Sequence, residues 1–88
     1  MAKNMADFVD PLLMNIVKPN YSIIEDIHGI TAGGENTGIR VTVVFNDEYK
    51  KYGFEEMNSL EKTIKKDIKS ALMFLNPGYV SVEFYVEG

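Results

Sequence analysis

The sequence predicts an α+β domain, a two-layer αββαβ sandwich whose three-stranded mixed sheet carries both helices on one face. Three observations predict it. In two segments the apolar residues recur at three- and four-residue steps, the period of an amphipathic helix. In others they alternate at period two, as in a half-buried strand. Turn-forming clusters separate these segments. The chain has 88 residues, enough for one domain and too few for two, so residues 1–88 are read as a single unit.

The first helix is predicted over residues 4–18, where Met5, Phe8, Val9, Leu12, Leu13, Ile16 and Val17 form one stripe. Pro11 interrupts it, because an interior proline lacks a donor and crowds the carbonyl four residues earlier. Either the helix is kinked there, or Asp10 caps a shorter helix starting at Pro11. The unbroken stripe favours the kink. Residues 21–30 read as a partly exposed strand, with Ile23 and Ile27 on one face and Ile24 and Ile30 on the other. Residues 31–37 (Thr-Ala-Gly-Gly-Glu-Asn-Thr) form a hairpin-type turn. Residues 38–46 alternate, with Ile39, Val41, Val43 and Phe45 inward and Arg40, Thr42 and Asn46 outward.

A polar connection over residues 47–53 leads to a long helix over 54–75, stopped by Asn76-Pro77-Gly78. Its buried stripe is Met57, Leu60, Ile64, Ile68, Ala71, Leu72 and Leu75. Residues 79–87 form the last strand, with Val80, Val82, Phe84 and Val86 opposed to Tyr79, Ser81, Glu83, Tyr85 and Glu87. A hairpin followed by one helical crossover runs the third strand parallel to the second. Such a three-stranded sheet has one face for two helices and one left over. This is a ferredoxin-like layout. The leftover face, bearing Ile24, Thr42, Val44, Tyr79 and Tyr85, is too apolar to be purely solvating. It is the expected interface, for a second copy or another protein.

Bulk properties exclude several function classes. The formal net charge of −4 opposes non-specific attraction to nucleic acid or anionic membranes. The absence of cysteine removes disulfide scaffolds, zinc knuckles, iron–sulfur ligation and thiol catalysis, and is compatible with the cytoplasm, the expected location. No stretch approaches the ~20 apolar residues of a membrane span, and Asp7 and Asp10 interrupt any signal-like apolar run.

Candidate chemistry is sparse. His28 is the sole histidine; as a functional residue it is a metal ligand or a pH sensor, with Asp26 and Glu25 beside it and Glu87 as a further carboxylate. The favoured reading is the ordinary one, a packed or hydrogen-bonded surface histidine, because zinc sites usually need three or four nitrogen or sulfur ligands. Glu55 and Glu56 are a carboxylate pair, more simply explained by the helix dipole. Gly33-Gly34 lacks the lysine and the following helix of a phosphate loop. Lys62, Lys65, Lys66 and Lys69 form a stripe on the second helix, the one feature resembling a nucleic-acid surface. No catalytic residue or resident cofactor is expected, and the chain is not read as an enzyme.

From Ile24 onward the chain resembles the cytoplasmic C-terminal domain of cation diffusion facilitator transporters. The matching features are Ile24-Glu25-Asp26-Ile27-His28-Gly29-Ile30, the glycine-containing turn and Ile39-Arg40-Val41-Thr42-Val43-Val44-Phe45. Asn58-Ser59-Leu60-Glu61 and the closing segment Val80-Ser81-Val82-Glu83-Phe84-Tyr85-Val86-Glu87 complete them. The resemblance implies a metallochaperone-like fold, homodimerisation and zinc binding. It departs from that family in lacking a histidine on the second strand and in holding Tyr85 where the last strand often has one. Only His28 then inherits a ligand role. The functional expectation is a non-catalytic protein-interaction or oligomerisation module. Its alternatives are a regulatory metal-binding domain, a small assembly subunit such as a bacteriophage uses, and a nucleic-acid binder using the lysine stripe.

Overall fold

The computed structural model describes residues 6–32 and 38–87. Helix α1 (Ala6–Leu12) continues into a π-helical turn (Leu13–Val17) and a 3₁₀ turn (Lys18–Asn20). Strands β1 (Ile24–Ala32) and β2 (Gly38–Phe45) follow, then a 3₁₀ segment (Asp47–Lys51). Helix α2 (Phe54–Leu72), a closing 3₁₀ turn (Met73–Leu75) and strand β3 (Val80–Val86) complete the order. The sheet order is β1-β2-β3, with β1 antiparallel and β3 parallel to the central β2. The αββαβ sandwich is the one the periodicities predict. The turn expected over 31–37 lies partly outside the described residues; Thr31 and Ala32 extend β1.

Pro11 lies inside α1, so the helix runs through it and does not start there with Asp10 as its cap. Proline cannot donate to the carbonyl four residues back, and the ladder widens to π geometry just after it. Val9, Leu13 and Val17 point to the core and are fully buried. The other half of the predicted stripe stays accessible, with Phe8 and Ile16 exposed and Leu12 partly buried. In α2 the buried residues are Ile64, Ile68, Ala71 and Leu72, with Met57, Leu60 and Leu75 at the margin. Glu56 starts α2 by accepting from the Gly53 N–H at 2.9 Å. Asn76 ends the helical run in the left-handed region at φ 54°, which asparagine tolerates better than most residues.

Burial along β2 follows the predicted alternation: Ile39, Val41, Val43 and Phe45 are all core. The rings of Phe45 and Phe84 stack across β2 and β3 at 5.4 Å between centroids. Strand β1 departs from the expectation. Its register slips between Ile24 and Asp26, so Ile24 opposes Phe45 while Asp26 opposes Val44. One extra residue in a strand reverses the faces on either side of it. Ile24 is therefore only 3% exposed and joins Ile23 and Ile27 in the core. Its expected place at the open-face interface is corrected on that ground.

The candidate functional site on the open sheet face

Away from the helices, the register sets out three rows across the sheet. Ile30, Arg40 and Ser81 form one; His28, Thr42 and Glu83 the next; Asp26, Val44 and Tyr85 the third. Among the described residues no helix covers these rows. Thr42 and Val44 are half-buried by their neighbours in the sheet. Tyr85 is 52% exposed and Tyr79 48%, while Ile30 takes the position vacated by Ile24 and is 60% exposed.

Tyr79 is held by a close approach. A Cβ on Gly38 would come within 2.1 Å of its ring, so a glycine there lets the tyrosine lie flat on the strand. At the opposite end the Tyr85 hydroxyl donates to Glu83 Oε2 at 2.7 Å. That hydrogen bond, reinforced by the negative charge of Glu83, pushes the Tyr85 phenol above its ordinary pKa. Between the two tyrosines lies a shallow depression of about 170 Å³ lined by His28, Ile30, Arg40, Thr42 and Glu83. The arrangement offers aromatic anchors around a mixed-charge centre, which suits recognition of a polar-and-apolar protein surface.

The expected metal set is not assembled. Asp26 and His28 do share this face, one row apart. Glu87 follows the end of β3, on the far side of the central strand from β1, and its N–H bonds to the Phe45 carbonyl. The carboxylate in the row of His28 is Glu83. Among the described residues no three histidine, aspartate or glutamate side chains are grouped to hold a metal ion.

The helical layer carries further features. Tyr21 and Asp67, 46 residues apart, are joined by a hydroxyl-to-carboxylate hydrogen bond that ties the β1 entrance to α2. Desolvation, then the Asp67 hydrogen bond and charge, push the Tyr21 phenol up to about 12. Beside that pair, Ile16, Val17, Ala71 and Phe74 line an open apolar groove of about 380 Å³. Lys62, Lys65, Lys66 and Lys69 line another groove on α2, next to the exposed Met73. Among the described residues no helix is long and apolar enough to cross a membrane. Compared with known protein families, curated proteins and solved structures, the chain matches none.

Proposed function

We propose that the protein is a non-catalytic interaction module whose open sheet face associates with a second copy of itself or with a protein of similar surface. The observation that carries this reading is the Ile30, Val44, Tyr79 and Tyr85 set on a face that no helix covers among the described residues. Aromatic and aliphatic side chains on such a face gain by leaving water, and the central His28, Arg40 and Glu83 supply directional contacts.

The size of the face bounds the strength. Three strands ~4.8 Å apart and roughly seven residues long give a flat footprint of about 330 Å². A standard interface buries about 800 Å² per partner. Association through this face alone therefore belongs to the weak, reversible class. Analytical ultracentrifugation over a wide concentration range tests it. The expected result is a concentration-dependent rise in mass that Ile30→Lys or Tyr85→Lys removes without altering the circular dichroism spectrum. A strict monomer at the highest concentration, with no protein captured by the wild type and lost by both variants, refutes it.

A further inference from the structure

The two edges of the sheet are finished differently. Along β1 the outward N–H of Ile27 bonds to Asp26 Oδ1 and that of Gly29 to Asp10 Oδ1, both at 2.9 Å. Carboxylates thus occupy donors that an incoming strand would need. Strand β3 is the opposite case. The Ile39 N–H bonds to the Tyr79 carbonyl and the Glu87 N–H to the Phe45 carbonyl. In a parallel ladder this turns the odd-numbered residues of β3 inward, leaving the backbone groups of Val80, Val82, Phe84 and Val86 facing out. Among the described residues no hydrogen bond reaches those outward groups. The strand, Val-Ser-Val-Glu-Phe-Tyr-Val, contains no proline, no glycine and one charge. It remains a template for pairing.

The occupant is narrowed by charge. The Lys65 ammonium lies 6.0 Å from the centre of the Phe84 ring, which places the lysine stripe on the β3 side of α2. Four lysines beside an open edge favour an acidic strand, although the chain as a whole is acidic. The same lysines disfavour joining β3 to β3 of a second copy, because a two-fold axis there would set the two stripes side by side.

We propose that the β3 edge and the lysine stripe together dock an extended acidic peptide segment by strand addition. Backbone groups of Val82 and Phe84 supply the ladder, and Lys62, Lys65 and Lys69 take carboxylates on the side facing α2. This surface is separate from the open face. The probe is a fluorescein-labelled peptide alternating valine with glutamate, followed by fluorescence anisotropy and amide exchange on the intact chain. Binding is expected to weaken roughly tenfold or more in the variant carrying Lys65→Glu and Lys69→Glu, both exposed positions that leave the core untouched. It is expected to weaken similarly with Val82→Pro, which removes an outward donor at a position where an edge strand accepts proline. Val82 and Phe84 amides should gain exchange protection, and Ile30→Lys should bind as the wild type does. Several results overturn the proposal: no binding, equal affinity for the peptide with lysine in place of glutamate, or loss of binding in Ile30→Lys. Lysine-dependent binding of single-stranded oligonucleotide in place of the peptide overturns it in favour of nucleic acid. A dimer abolished by Val82→Pro overturns it in favour of self-pairing.

Discussion

Gly29 sits on the core side of β1 directly beneath α1. A Cβ built there would meet Val9 Cγ1 at 2.6 Å, Leu13 Cδ1 at 3.3 Å and the Arg40 carbonyl oxygen at 3.4 Å. Carbon atoms pack best at about 3.5–4.0 Å, so the first contact is roughly 1 Å too close. Val9 and Leu13 are fully buried and cannot swing into solvent. Overpacking of this kind costs about 1–3 kcal/mol, while the lower entropy of an unfolded alanine returns about 0.4–1 kcal/mol. Gly29→Ala should therefore destabilise the protein by about 1–2 kcal/mol. At about 4–8 °C per kcal/mol for a domain of this size, Tm falls by roughly 5–15 °C. Val9→Ala removes the clashing methyl and should itself cost about 1–3 kcal/mol through lost burial and a cavity. In the double variant the new methyl occupies part of that cavity, so the combined loss should fall short of the sum by about 1 kcal/mol. Urea denaturation of the four proteins measures the cycle. A neutral Gly29→Ala, or losses that simply add, would refute the account of α1 seated on a bare stretch of β1.

Other outcomes can be checked on the same protein. Tyr21 has its phenol raised from 10.0 to about 12 by desolvation and by Asp67. Its proton is held more tightly in the folded chain, so the associated stability is complete below pH ~10 and is lost as pH rises through ~12. Solvent screening at this half-buried site leaves an effect on the order of 1 kcal/mol, which should vanish from the alkaline limb of the pH–stability curve in Tyr21→Phe. Asn46 ties three segments: its Nδ2 donates to the Ser22 carbonyl at 2.8 Å, and its Oδ1 accepts from the Glu48 N–H at 2.9 Å. Its own N–H donates to the Ile23 carbonyl. Asn46→Ala should cost about 1–2 kcal/mol in thermal unfolding, and Asn46→Asp should retain about half of that by keeping the cap acceptor.

Much of this architecture is legible because its periods are unambiguous. Gly38–Phe45 alternates without interruption, and Ile64, Ile68, Ala71 and Leu72 recur at helical steps. The site is less legible for identifiable reasons. The bulge at Glu25 adds a residue among closely spaced isoleucines, and an apolar pattern that reads equally well in either register hides which of Ile23, Ile24 and Ile30 faces out. The α1 stripe shows what could be buried, while Phe8 and Ile16 lie beyond the width of sheet available to them. The Tyr21–Asp67 and Asp10–Gly29 hydrogen bonds join residues far apart in the chain, so no local pattern announces them.

The wide turn after Pro11 has a consequence for how the chain tolerates change in length. Excising one residue from an ordinary α-helix rotates everything downstream by about 100° and drags buried side chains into water. In Leu13–Val17 the ladder already accommodates a surplus residue. Removing the exposed Asn15 should let that stretch relax to the regular repeat while Val17 keeps its side of the helix. A one-residue deletion there is expected to fold with near-native Tm. The same excision at the exposed Lys66, within the regular ladder of α2, should unfold the protein.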